Sequence, residues 1–292
     1  MFSPKEIKIG DKLVLQRFLD GNESSIYNFT TLYAWGFDGK IKYDIKDDCL
    51  ILFFYGTDGG VRTTFPIGDG SRCSVAKDAF EYMKTKGSTP NFVLMTENGA
   101  KECEQVFGDT FSVYSDRKSA DYVYLSEDLI NLKGKKFHTK KNHLNAFLNT
   151  YKFTYERLGE ENIDECKKLF MDWQSSQNNH DLGVSEKATM RLLDSAIALG
   201  VTLGGIRIDG RLVAFSAGEK MTDDTALIHL EYADTTIRGA FNAINQQFCE
   251  NEWKDLEFIN REEDMGIEGL RKAKMAYRPV KMIEKYFTKY KG

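Results

Sequence analysis

Residues 260–279 read NREEDMGIEGLRKAKMAYRP. A hydrophobic strand containing Leu256, Phe258 and Ile259 is predicted just before them, and it runs into four consecutive charged residues. Gly266 then interrupts the chain, and a helix with several basic side chains is predicted to follow. Because loops at the ends of rigid strands carry chemistry in α/β proteins, this stretch is a candidate site. The alternative is a solvated turn followed by a salt-bridged helix.

The composition indicates a compact protein of more than one domain. The chain has 292 residues, of which 41% are hydrophobic and 13% aromatic, and this length suits two domains of about 120 to 150 residues. A net charge of −4 gives no overall attraction to nucleic acid or to an anionic membrane, so any such contact needs a local basic patch.

The cysteine pattern and the lack of long apolar runs exclude further classes of protein. Five cysteines, odd in number and without a CxxC pair, predict reduced thiols in a cytoplasmic protein and no metal site. No apolar run approaches about 18 residues, and the N-terminus lacks the apolar core of a signal peptide. The sequence therefore predicts no transmembrane segment and no secretion.

The order of predicted elements repeats. The first half reads as helices, a three-strand meander, and then alternating helices and strands; residues 92–95 and 122–125 are two of these strands. The second half reads β-α-α-β-β-β-α-β-α-β, with Asp209-Gly210 as a tight hairpin turn, a polar loop over 175–182, and a last strand over 280–286. This order is typical of GNAT-type acyltransferases. We predict an α/β fold with mixed sheets: two GNAT-like domains in tandem, residues 1–126 and 152–292.

A basic segment, residues 127–151, joins the two predicted domains. No acidic residue lies between Asp128 and Glu156, and apolar residues fall on one face of a predicted helix broken at Gly134. The segment is either a charged linker helix or a contact for RNA or another phosphate-rich ligand. The candidate phosphate contacts in this segment are Lys136, Lys140 and Lys141.

Three long motifs resemble a known family. They cover residues 134–151 (GKKFHTKKNHLNAFLNTY), residues 231–245 (EYADTTIRGAFNAIN) and residues 260–279. Together they resemble a bacterial tandem-GNAT family that shares the C-terminal domain of phosphatidylglycerol lysyltransferases, over essentially the whole chain. The resemblance implies transfer of an aminoacyl group from a charged tRNA to an amine or hydroxyl of a lipid, peptide or small molecule. Ordinary GNAT proteins instead use acyl-coenzyme A.

Acyl transfer needs a group that accepts the proton of the nucleophile and donors that polarise the carbonyl. Glu231, at the end of a predicted strand, is the best candidate base, and strict alternation would place His229 on the same face. Tyr277 is a candidate general acid. The alternatives are an edge ion pair for Glu231, a hydrogen-bonded core histidine for His229, and a packing aromatic for Tyr277.

Recognition groups are predicted on both sides of the candidate base. The helix after Glu231 departs from the coenzyme A pyrophosphate pattern of GNAT proteins, but its first residues could still face an anion. The predicted phosphate or donor contacts there and downstream are Arg238, Gly239, Ala240, Arg271, Lys274 and Arg278. The predicted substrate contacts, with acids suited to an amine, are Asn260, Arg261, Glu262, Glu263 and Asp264.

The sequence thus predicts an acyl- or aminoacyl-transferase that takes its acyl group from aminoacyl-tRNA or from acyl-coenzyme A. The departure from the pyrophosphate pattern favours aminoacyl-tRNA. The alternative is a nucleotide- or RNA-binding or sensing module on a GNAT fold that has lost catalysis.

Overall fold

The computed structural model describes residues 1–176 and 183–292. Its strands are β1 Lys5–Glu6, β2 Ile41–Lys46, β3 Cys49–Tyr55, β4 Val61–Thr63, β5 Ile67–Gly68, β6 Phe111–Ser115, β7 Asp121–Leu125, β8 Phe153–Leu158, β9 Thr202–Ile208, β10 Arg211–Lys220, β11 Thr225–Ala233, β12 Phe258–Asn260, β13 Lys281–Ile283 and β14 Tyr286–Tyr290. Its α-helices are α1 Lys12–Leu19, α2 Phe29–Trp35, α3 Arg72–Thr85, α4 Glu97–Phe107, α5 Ser126–Asn131, α6 His138–Thr150, α7 Ile163–Ser176, α8 Gly183–Leu199, α9 Ala240–Glu252 and α10 Glu268–Met275.

Contacts divide the chain into two compact units. The first unit is Met1–Ala120 with Ile283–Gly292, and the second unit is Asp121–Met282. Both contain helices and sheets, which confirms the predicted mixed α/β class.

The first unit is built on a sheet in the order β1-β2-β3-β4, with β5 paired to β3, and on a two-stranded sheet of β14 and β6. Its core is rich in aromatic rings; Phe53, Phe65, Phe92 and Phe111 are all buried in it. The β2–β3 turn has two aspartates, Asp47 and Asp48, with φ of 47° and 54°, which is the backbone of a two-residue hairpin turn.

The second unit has one seven-stranded sheet in the order β13-β7-β12-β11-β10-β9-β8. Strands β11 and β12 are parallel, so α9 crosses between them, and α9 packs its alanines, Ala240 and Ala243, into the core with Phe248. The hairpin predicted at Asp209-Gly210 is confirmed: both residues have positive φ, and β9 pairs with β10 on either side of them.

The boundaries of the two units differ from the predicted domain boundaries in three places. Strand β7 pairs with β12 of the second unit, so that unit begins before residue 126. Helix α6 packs Leu144 and Phe147 into the same core as α9, so the basic segment is part of the second unit. Strand β14 pairs with β6, so the end of the chain completes the first unit.

Other local predictions differ in detail. The strand predicted over 280–286 is divided into β13 and β14, which join different sheets. The strand predicted over 92–95 is replaced by single bridges at Phe92 and Met95. Most of the loop predicted over 175–182 lies outside the described residues. Among the described helices, none has the length and apolar character needed to cross a membrane.

Candidate functional site

Glu231 lies near the end of β11, and both of its carboxylate oxygens accept hydrogen bonds. Asn245 of α9 donates its side-chain amide to Oε2 at 3.0 Å, and Arg261, just after β12, donates Nη2 to Oε1 at 2.8 Å. The parallel β11–α9–β12 crossover brings these three residues together. The side chains of Glu231 and Arg261 are only 14% and 12% exposed, so this ion pair is largely removed from water.

Arg261 lies over two tyrosine rings. Its guanidinium carbon is 5.0 Å from the ring centre of Tyr277 and 5.7 Å from that of Tyr124, distances at which a cation and an aromatic face attract each other. Two polar atoms of this cluster are buried without a hydrogen-bond partner among the described residues: Nη1 of Arg261 and Oδ1 of Asn245. Such atoms are uncommon in native proteins and each needs a physical explanation.

Lys140 of α6 reaches the same cluster. Its ammonium nitrogen lies 4.3 Å from the ring centre of Tyr277. Burial lowers the pKa of Lys140, the nearby Arg261 lowers it further, and Glu231 opposes them. The basic segment therefore contributes one partly buried cation to the surroundings of Glu231.

The Tyr277 hydroxyl accepts a hydrogen bond from the side-chain amide of Asn242 at 2.8 Å. Its own proton is therefore available for donation. Burial raises the pKa of Tyr277, which keeps this hydroxyl protonated at neutral pH.

The turn after β12 is held by Lys274. The strand ends at Asn260, Glu262 has a φ of 56°, and the Asn260 side chain accepts a hydrogen bond from the Glu262 backbone N–H at 2.8 Å. The buried Lys274 ammonium donates to three successive carbonyls, those of Arg261, Glu262 and Glu263. Burial lowers the pKa of Lys274 to about 8. Lys274 thus fixes the turn that presents Arg261.

Asp264 is fully buried at the end of this turn. It accepts hydrogen bonds from the Tyr122 hydroxyl at 2.6 Å and from Arg271 at 2.8 and 3.0 Å. Burial alone would raise the pKa of Asp264, but the bonds from Arg271 and Tyr122 hold it well below its usual range. Asp264 and Arg271 therefore have an internal structural role in addition to the predicted recognition roles, which stay predictions.

His229 is buried between two carboxylates. Its Nδ1 lies 3.1 Å from Glu262 and its Nε2 lies 3.0 Å from Glu219. Burial lowers the pKa of His229, but hydrogen bonds with both glutamates outweigh it and raise the pKa to about 9. Pairing of β10 with β11 shifts from Ala217–Leu230 to Gly218–Ile228, so a bulge at His229 interrupts the alternation assumed in the sequence, and His229 and Glu231 have separate partners.

The start of α9 packs closely against α6. Gly239 has a φ of 85°, and a Cβ there would lie 2.5 Å from the backbone oxygen of His143. The Ala240 N–H donates to the Ile237 carbonyl at 3.2 Å. Helix α6 therefore packs against the first residues of α9, and the phosphate contacts predicted at Gly239 and Ala240 stay predictions.

The remaining predicted basic contacts lie toward solvent. Lys136 pairs with Asp128 at 2.9 Å, and Arg238, Lys141 and Arg278 are exposed. No group of acids, histidines or cysteines suited to a metal ion occurs among the described residues.

The structure brings Glu231, Arg261, Tyr277 and Lys140 together and adds residues that the sequence did not single out. These are Asn242, Asn245, Tyr124 and Glu219. The two asparagines are spaced three apart on α9 with Ala243 and Ile244 between them, and this spacing on one helix face was the available signal.

A comparison with protein families matches residues 20–289 to the family described as phosphatidylglycerol lysyltransferase, C-terminal. The chain belongs to this family. The resemblance seen in the three sequence motifs is therefore confirmed.

Solved structures agree with this assignment. A conserved protein of unknown function from Bacteroides thetaiotaomicron is 33% identical, with all of each chain covered and a TM-score of 0.91. The L-PGS of Bacillus licheniformis is 17% identical, covering 100% of this chain and 95% of that one, with a TM-score of 0.69. A tandem GNAT protein from the clavulanic acid biosynthesis pathway is 10% identical, covering 100% and 98%, with a TM-score of 0.51. The predicted tandem GNAT fold is confirmed, and it is an acyltransferase fold of the aminoacyl-transferase type.

Proposed function

We propose that this protein transfers an aminoacyl group from aminoacyl-tRNA to an amine or hydroxyl acceptor, with the reaction at the Glu231–Arg261 pair. The observation that carries the proposal is the pair itself, buried with unpartnered polar atoms on Arg261 and Asn245. Taking a carboxylate and a guanidinium out of water is costly, and such arrangements cluster at functional sites.

The proposed reaction balances as a simple acyl exchange. The acceptor nitrogen or oxygen attacks the carbonyl carbon of the aminoacyl ester, and the bond from that carbon to the ribose oxygen breaks. Glu231 accepts the proton of the acceptor, and Arg261 stabilises the negative charge that develops on the carbonyl oxygen. Tyr277, held protonated and hydrogen-bonded by Asn242, donates a proton to the departing ribose oxygen.

The donor is aminoacyl-tRNA rather than acyl-coenzyme A in this proposal. The sequence at the start of α9 departs from the coenzyme A pyrophosphate pattern, and α6 packs against Gly239 there. Cations lie in or beside the Glu231 cluster instead: Lys140 over the Tyr277 ring, and the exposed Arg278 next to Tyr277 in the chain. Such groups suit a phosphate backbone, which is bound mainly through charge.

The test replaces Glu231 with Gln. Bulk bacterial tRNA charged with radiolabelled amino acids is the donor, and the acceptors are phosphatidylglycerol vesicles and a panel of small amines. We expect Glu231→Gln to lower the transfer rate at least tenfold, because the amide cannot accept the proton.

The matched control is Glu268→Gln, since Glu268 is exposed in an ion pair with Lys272 on α10. It should transfer at the wild-type rate and unfold at the wild-type temperature. Glu231→Gln leaves the buried Arg261 without its ion partner and should unfold at a lower temperature, so transfer is measured at a temperature where both variants are shown to be folded. Transfer by Glu231→Gln at the wild-type rate would remove Glu231 from the mechanism.

A second candidate function is a binding or sensing module without catalysis. Both oxygens of Glu231 already accept hydrogen bonds within the protein, which favours this alternative. This alternative is tested by measuring the thermal unfolding of the protein with coenzyme A and with acyl-coenzyme A. A ligand at a hundred times its dissociation constant stabilises the folded protein by about 2.7 kcal/mol. A shift with coenzyme A but no transfer from tRNA would support a coenzyme A-binding module and overturn our choice of donor.

A further inference from the structure

The first unit contains a polar cavity remote in sequence from the Glu231 cluster. Its volume is about 150 Å³, and its lining includes Asn22, Tyr27, Phe65, Arg72, Asn98 and Gly99. Asn98 is exposed, so the cavity is accessible from solvent. Segments far apart in the chain therefore converge on a space large enough for a phosphate or a short carboxylic acid.

Arg72, the first residue of α3, is the charged group of this lining. Its Nε donates to the Pro66 carbonyl at 3.0 Å, and its Nη1 pairs with Glu102 at 3.1 Å. These contacts hold the guanidinium in one orientation, and Nη2 has no partner among the described residues. A guanidinium held in this way is well suited to a carboxylate or phosphate oxygen.

Two further features add positive charge near the cavity, where the carboxylates of Glu97 and Glu102 oppose it. Gly99 and Asn98 belong to the first turn of α4, an eleven-residue helix capped by Thr96, and the N-terminus of a helix carries partial positive charge. Lys285, which is buried, donates to the Ser25 hydroxyl at 3.1 Å and lies close enough to Tyr27 to act on its phenol.

From these observations we infer that the first unit binds a small oxyanion, a phosphate or carboxylate group, in this cavity, with Arg72 as its charged partner. The inference is independent of the proposed transfer reaction, since none of its residues belongs to the second unit.

Calorimetric titration of the full chain at constant ionic strength tests the inference, with sodium phosphate in one arm and sodium acetate in the other. We expect saturable binding of at least one of them, and the arm that binds identifies the oxyanion. Arg72→Gln should weaken binding at least tenfold. The control Arg62→Gln, which removes an exposed cation paired with Asp58, should leave binding unchanged.

Asn98→Asp separates binding from folding. An acidic residue in the first turn of α4 favours the helix, so the variant should unfold at or above the wild-type temperature, yet its charge should repel an anion and weaken binding at least tenfold. No saturable binding in either arm of the wild type would overturn the inference. Binding of wild-type strength in both Arg72→Gln and Asn98→Asp would also overturn it.

Discussion

Replacing His229 with Gln tests the charge state of the buried centre between Glu219 and Glu262. The amide keeps much of the shape of the imidazole but cannot carry a proton. The difference between the ordinary histidine pKa of 6.5 and a pKa of about 9 in the fold corresponds to about 3 kcal/mol of stability. This contribution is fully present below pH 6.5, where histidine is also charged in the unfolded chain, and it is lost as the pH rises through 9.

We therefore expect the free energy of unfolding of the wild type, relative to His229→Gln, to fall by about 3 kcal/mol between pH 6.5 and pH 10. Urea unfolding in a Trp35→Phe background measures it, because the remaining tryptophans, Trp173 and Trp253, report on the second unit. Lys274, whose pKa is lowered to about 8, adds stability as the pH rises from 8 to its ordinary value of 10.5. That contribution is common to both proteins and cancels in the difference.

The exposed His138 of α6 provides the control, since His138→Gln removes a histidine without removing a buried ion pair and should leave the free energy of unfolding close to that of the wild type. If the wild type and His229→Gln differ by the same free energy at pH 6.5 and at pH 10, His229 is not a charged centre and the reasoning is refuted.

Three more outcomes follow from packing and charge. Gly239→Ala should destabilise the protein by at least about 1–2 kcal/mol from its positive φ alone, whereas Gly269→Ala, with open space around it, should be neutral or stabilising; denaturant titration compares the two. Thr288→Val should cost about 1–3 kcal/mol in the same assay, because it leaves the buried N–H of Phe92 without its 2.8 Å acceptor. Removing basic charge from α6 and the turn before it should flatten the salt dependence of tRNA binding by about 0.7–0.9 per lost phosphate contact, and an unaltered slope would show that the segment does not bind tRNA. The four substitutions combined for this test are Lys135→Ala, Lys136→Ala, Lys140→Ala and Lys141→Ala.

Local features of the fold could be predicted because they depend on a few neighbouring residues. The Asp209-Gly210 hairpin needs two positive φ angles, and these residues adopt them readily. Glu231 could be singled out because it follows an apolar strand. Its partner Asn245 could not be paired with it from the sequence, because the contact depends on where the β11–α9–β12 crossover returns.

Long-range strand pairing and buried charged groups limited what else could be predicted from the sequence. The bulge at His229 is invisible in a pattern of alternating residues, so the shared face predicted for His229 and Glu231 rested on a regularity that the strand does not have. The charged residues after Asn260 looked equivalent in the sequence. In the fold only Arg261 reaches Glu231, because Lys274 fixes the backbone of the turn and Arg271 holds Asp264.

The pairing of β14 with β6 has a consequence for the order of synthesis. Residues 283–292 leave the ribosome after the whole of the second unit, yet they supply a strand and the buried Thr288 to the first unit. The first unit therefore cannot acquire its complete structure as soon as residues 1–120 are made. Strand β6 has an unpaired edge while the second unit is translated. Open edges invite pairing with other chains, so premature termination within the second unit should yield an aggregation-prone fragment rather than a stable N-terminal domain.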